Sequence, residues 1–133
     1  MGLRLTRDQA EDILAHARET FPNECCGLLA GRGDHVVRVY RGRNVDESPY
    51  TYRLDDRQLL QFTREIDDAG LDIVGIYHSH TASEAVPSRT DIARAFYPEA
   101  VYVIVSLKDW EHPDVRGFRI VDGATADEDV IVT

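Results

Sequence analysis

Cysteine is scarce in this 133-residue chain, with two residues placed side by side at Cys25 and Cys26. Adjacent cysteines match neither a disulfide framework nor a zinc-binding pair, so a reduced, cytoplasmic protein is expected. Positive charge is also in short supply: 15 Lys and Arg stand against 24 Asp and Glu, a formal net charge of −9. Phosphate contacts need clustered cations, and none are visible, which argues against nucleic acid as a partner. A neutral or weakly basic protein partner is better tolerated by such a surface. Long hydrophobic runs are missing as well. The longest, around residues 101–105, is strand-sized, far below the ~18–20 residues that span a bilayer, so no membrane association is expected. No signal-peptide pattern opens the chain. Residues 1–6 loosely fit an N-myristoylation pattern, but Leu3 and Leu5 read as a first strand and Thr6 as a helix cap, so lipidation is rejected. Internal repeats, low-complexity segments and linkers are likewise missing, which leaves one domain over residues 1–133.

What is present, 43% hydrophobic and 29% charged residues, suits a globular domain with its own core. Thr6 and Gln9 form a capping-box pattern, and Ala10, Ile13, Leu14 and Ala17 follow at helical spacing, predicting a helix over 7–20. Residues 25–31 read as a strand buried on both faces, turning at 32–34 into a return strand over 35–40. A short strand is expected over 50–54. Asp55 and Asp56 then cap a helix with Leu59, Leu60, Phe62, Ile66 and Ala69 on its apolar face, closed by Gly70. A buried strand over 71–77 leads into His78, and a third helix is expected over 89–96. Further strands are expected over 100–107, 115–121 and 130–132, the last after an acidic stretch. This irregular interleaving predicts an α+β fold, an α-β-α sandwich around one curved mixed sheet.

The chemistry concentrates after that central strand. His78 and His80 stand at i and i+2, so a strand aims both at one face. After a spacer of seven residues, 81–87, come Ser88 and Asp91. Taken alone, His-x-His reads as two strand-end polar residues and Ser-x-x-Asp as a capping box. Together they offer two imidazoles and a carboxylate, the N and O donors of a catalytic zinc that keeps one position for water. Glu24, taken alone, reads as a surface carboxylate at a loop-to-strand junction. A cysteine nucleophile at Cys25 or Cys26 is disfavoured, because the following Gly27-Leu28-Leu29 implies burial.

The string Glu24, His78-x-His80, Ser88-x-x-Asp91, flanked by Gly75-Ile76-Tyr77 and by Cys-Gly-Leu-Leu after Glu24, resembles the motif of the JAMM (MPN+, Mov34/PAD-type) metallopeptidases. The resemblance implies a single JAMM/MPN-type domain with a cytidine-deaminase-like arrangement. It also implies one catalytic Zn2+ with a bound water, held by His78, His80 and Asp91. Glu24 is then the general base and later the general acid, and Ser88 a donor to the oxyanion. Residues 77–91, 48–55 and 119–123 are most similar to the bacterial sulfur-carrier-protein–cysteine peptidases of cysteine biosynthesis within that family. This implies a substrate that is a small ubiquitin-fold carrier ending Gly-Gly-Cys, cut at the Gly–Cys bond to release cysteine. The alternative is a deubiquitinase-like isopeptidase acting on other ubiquitin-fold modifiers. Against that, the family's deubiquitinases carry insertions for which this chain has little room, and often Pro where Thr81 stands. A zinc-stabilised binding module would need neither Glu24 nor Ser88. Tyr50, Tyr52 and Arg53 are candidate docking residues by position only.

Overall fold

The computed structural model describes residues 2–133, so Met1, the first residue of the myristoylation pattern, lies outside the described residues. Seven strands and three helices follow in the order β1 (Gly2–Leu5), α1 (Arg7–Thr20), β2 (Cys26–Arg32), β3 (His35–Gly42), α2 (Asp56–Asp68), β4 (Asp72–His80), α3 (Arg89–Ala93), β5 (Val101–Ser106), β6 (Asp114–Val121) and β7 (Ala124–Val132). The first helix has the predicted bounds because both its signals are local. Thr6 accepts the Gln9 N–H while the Gln9 side chain accepts the Thr6 N–H, and Pro22 follows directly on its C-cap. Asp55 caps α2 through the N–H groups of Arg57 and Gln58.

The strands are ordered β1-β3-β2-β4-β5-β6-β7, and the sheet closes into a barrel. That corrects the expected α-β-α sandwich. Closure comes from β1, which runs parallel to β7 over Gly2–Leu5 and meets β3 at Arg4 and His35. Helices do cover two faces of the sheet. Leu3, Leu29, Val101, Val103 and Val105 pack with Ile13 and Ala17 of α1, while Leu28, Ile76, Tyr102 and Ile104 pack with Phe62 and Ile66 of α2. The alternation of residues 101–105 between the clusters is the period-two signature of a strand buried on both sides.

Three further expectations are corrected. Residues 50–54 form no strand and make only a bridge from Leu54 to Asn44, because Asn44 and Ser48 take up backbone groups that a ladder would use. The third helix stops at Ala93 rather than Phe96. Phe96 is 76% exposed, so continuing the helix would bury little there. The last strand starts at Ala124 and takes in the acidic residues 127–129: Asp127 and Glu128 pair with β6 and Asp129 with β1, while Arg119 meets Glu128 at 3.0 Å. No described helix is long and apolar enough to cross a membrane.

Candidate metal centre

β4 lies between β2, antiparallel, and β5, parallel, so both flanks of the His-bearing strand are hydrogen-bonded. His78 and His80 end this strand, buried at 1% and 4% exposure, with their Nε2 atoms 3.2 Å apart. The spacer folds α3 back over the strand end and sets Asp91 Oδ2 at 3.1 Å from His78 Nε2 and 3.0 Å from His80 Nε2. The spacer itself is anchored. Thr81 bonds the Pro49 carbonyl, Ser106 bonds the Ser83 carbonyl, and Ala85 is buried. It is a fixed rim.

Ser88 and Asp91 make the capping box in full: Asp91 N–H donates to Ser88 Oγ at 3.0 Å and Ser88 N–H to Asp91 Oδ2 at 2.9 Å. The antiparallel β2–β4 ladder ends with Cys26 opposite His78, and the Ser79 N–H donates to the Cys25 carbonyl at 3.2 Å, which brings Glu24 to the end of β4 that carries His80. Cys25 N–H donates to Ser79 Oγ at 2.8 Å, which holds that junction together. Glu24 is 2% exposed, and its Oε1 finds no hydrogen-bond partner among the described residues.

The donor set fits a divalent cation. His80 Nδ1 lies 2.7 Å from the Glu84 carbonyl, which requires a proton on Nδ1 and leaves Nε2 of a neutral ring as a bare lone pair. That lone pair, the His78 ring nitrogen and the Asp91 carboxylate oxygen all face one another within 3.2 Å. Without a proton or a cation between them such atoms repel. Two imidazoles and a carboxylate are among the ligand sets that zinc takes in catalytic sites, so His78, His80 and Asp91 can hold it.

The electrostatics of the metal-free site agree. Burial works to raise the Asp91 carboxyl, but hydrogen bonds from His78 and His80 outweigh it and hold the group well below the usual carboxylate range. Burial lowers His78 despite Asp91. For His80 the bonds to Asp91 and the Glu84 carbonyl overcome burial and raise it. Burial pushes Glu24 up to about 8, with His80 opposing and Asp91 and Asp46 adding. Cys25 and Cys26 are both pushed up to about 12, first by burial, so neither thiol is a thiolate near neutral pH.

The candidate residues Glu24, His78, His80, Ser88 and Asp91 therefore meet at one end of the barrel. Of the docking candidates, Tyr50 is exposed, Arg53 pairs loosely with Asp56 at 3.7 Å, and Tyr52 lies inside the site. The Tyr52 ring stacks on His78, with centroids 4.3 Å apart and planes at 21°. Tyr52 also opens a cavity of about 420 Å³ lined by Leu28, Ile76, Phe96 and Tyr102. A larger cleft, of about 950 Å³, lies at the opposite end of the barrel among the first residues of β1, β4 and β5, and carries none of these groups. Sequence reasoning missed Asn44, Arg94 and the Glu84 carbonyl. No local pattern marks any of them, because each acts across a long sequence separation or through its backbone.

The model of the prokaryotic homologs of the JAB domain matches residues 6–121. The CysO-cysteine peptidase of Mycobacterium tuberculosis is 45% identical over 132 residues, covering 98% of this chain and 90% of that protein. The desampylase of Haloferax volcanii is 42% identical over 111 residues, covering 78% and 80%. A Desulfitobacterium hafniense protein solved in solution superimposes with a TM-score of 0.89 at 39% identity, covering 98% and 92%. A JAB1/MPN domain protein from Archaeoglobus fulgidus shares the fold, with a TM-score of 0.61 at 19% identity and coverage of 98% and 96%. By its motif residues, its fold and this match over most of its length, the chain belongs to the JAMM/MPN family, among the prokaryotic homologues of the JAB domain.

Proposed function

We propose that the protein is a zinc metallopeptidase that hydrolyses the Gly–Cys bond at the C-terminus of a ubiquitin-fold sulfur carrier–cysteine adduct, releasing cysteine for biosynthesis. The observation that carries the reading is the convergence of His78, His80 and Asp91 beside buried Glu24, whose Oε1 has no hydrogen-bond partner among the described residues. Likeness to the CysO-cysteine peptidase supports the substrate class. Zinc held by these three residues would polarise the scissile carbonyl and lower the pKa of a water from ~15.7 toward ~7.

The chain's own groups supply the rest. Glu24 takes the proton from the attacking water and delivers it to the leaving amine nitrogen, acting first as base and then as acid. A pKa raised by burial suits both roles, and a nearby cation would draw it back toward neutrality. The Ser88 oxygen accepts the Asp91 N–H, so its own proton stays free to be donated to the oxyanion. A Gly-Gly tail lets the backbone approach where side chains would clash. Two buried free thiols suit a reducing compartment such as the cytoplasm.

Likeness to the desampylase favours a second reading, isopeptidase removal of ubiquitin-fold modifiers from other proteins. Intact-mass spectrometry of a carrier ending Gly-Gly-Cys, incubated with the protein with and without a zinc chelator, separates the two. Loss of one cysteine residue, blocked by chelator and absent in Glu24→Gln that still binds zinc, is expected. An uncut adduct alongside a cleaved isopeptide conjugate would replace the first reading with the second.

A further inference from the structure

The segment between β3 and α2, residues 43–55, crosses the site and touches every element that carries a candidate functional side chain. Asn44 is its buried anchor, at 7% exposure. Its amide nitrogen donates to the backbone carbonyls of Glu24 at 3.1 Å and Thr51 at 2.9 Å. Its amide oxygen accepts the N–H groups of Asp46 and Arg53, each at 3.0 Å. Two donors and two lone pairs are all that this side chain has, and all are used.

Between the Thr51 and Arg53 bonds stands Tyr52, whose ring covers His78. From the opposite side Arg94, the C-cap of α3, donates to the Asp46 carboxylate at 2.8 Å and to the Tyr52 carbonyl at 2.9 Å. The Thr51 hydroxyl donates to the same Asp46 carboxylate at 2.9 Å. One amide therefore links the Glu24 backbone to the ring stacked on His78, and Arg94 links both to the short helix that holds Ser88 and Asp91.

We infer that Asn44 is a positioning residue, which sets the Glu24 carboxylate relative to the His78 ring by holding the segment 43–55 across both. The inference rests on the metallopeptidase reading. The Asn44 side chain bonds backbone groups and none of the metal-ligand candidates; it acts through Glu24 and Tyr52. Removing its side chain releases the Glu24 and Thr51 carbonyls and the Asp46 and Arg53 N–H groups and so loosens the loop carrying Tyr52, while His78, His80 and Asp91 keep their own supports in β4 and α3.

The test compares the zinc-loaded full chain with Asn44→Ala and with Arg94→Gln, which releases the far end of the same segment at a side chain 41% exposed. Three readouts are taken: kcat and KM on the Gly-Gly-Cys adduct, zinc content, and the ring-current shift of the His78 ring protons by NMR, assigned by its loss in Tyr52→Leu. Asn44→Ala is expected to keep equimolar zinc and a KM within about twofold, while kcat falls about 10–100-fold, as for loss of an outer-shell partner, and the shift collapses. Arg94→Gln is expected to move kcat and the shift in the same direction by a smaller factor. An unchanged kcat, an unchanged ring-current shift, or a loss of activity accounted for by lost zinc would overturn the assignment. If the wild type leaves the adduct uncut, the substrate reading fails and the NMR arm alone decides: a collapsed shift upholds Asn44 and an intact one removes it. If Asn44→Ala does not fold, Arg94→Gln decides on the same readouts.

Discussion

Glu24 is a carboxylate removed from water whose Oε1 has no partner among the described residues, an arrangement that costs stability unless a proton or a cation is near. In metal-free protein the folded-state value is about 8, raised chiefly by burial, against an ordinary value of 4.5. Between those limits the folded form keeps a proton that the unfolded form has released, so stability falls as pH rises from 4.5 through about 8. Glutamine has no such loss. Chelated Glu24→Gln is therefore expected to melt close to the wild type near pH 4.5 and to gain roughly 2 kcal/mol or more over it by pH 8.5. Parallel melting curves of the two proteins across that range would remove Glu24 as the buried titrating group. That His78 and His80 share a face was legible from spacing, because a strand's period of two dictates it, whereas Asp91 joins them only because the spacer folds α3 back over the strand end. The isolation of Glu24 was not legible, since it depends on β2 lying beside β4.

At the scale of elements, the β2–β4 pairing is what builds the site, and it is close-packed. Gly27 pairs with Tyr77, and a Cβ at Gly27 would overlap the Tyr40 carbonyl and the Tyr77 ring. Tyr77 is fully buried, with its hydroxyl 2.7 Å from His16 Nδ1, so the ring has nowhere to retreat. Gly27→Ala is expected to lower stability by about 1–3 kcal/mol through overpacking, which calorimetry would register as a Tm lower by roughly 5–10 °C. An unshifted Tm would mean that the strand backbone yields more easily than the packing implies. The same local logic explains which elements could be read in advance. α1 carries its capping box and its Pro22 stop within its own sequence. β7 carries charged residues that favour no strand locally and becomes one by pairing with β6 along its first half and with β1 along its second.

For the whole molecule, a barrel closed by strands from the two ends of the chain carries at one end a site where β2, β4 and α3 meet. If His78, His80 and Asp91 hold zinc only in the folded state, metal binding stabilises the fold by mass action. Free zinc at a hundredfold excess over its Kd contributes about 2.7 kcal/mol, or roughly 5–10 °C for a domain of this size. Thermal melts with zinc and with chelator are expected to show this shift in the wild type and to lose it in Asp91→Asn. The same shift in both proteins would place the stabilising metal elsewhere.

Local patterns were enough to specify the three helix starts, the central strands, the His-x-His pair and the Ser-x-x-Asp cap, because caps, turns and strand periodicity act over a few residues. They also carried the family resemblance, through spacing along the chain. Tertiary structure alone decided that the sheet closes, since the pairing of Gly2 with Asp129 joins residues whose contact no local preference encodes. It also turned residues 50–54 from an expected strand into an irregular strap, where Asn44 and Arg94 satisfy backbone groups from across the fold. Side-chain hydrogen bonds of long sequence separation exist only once the chain has folded, and they set the surroundings of Glu24 and His78.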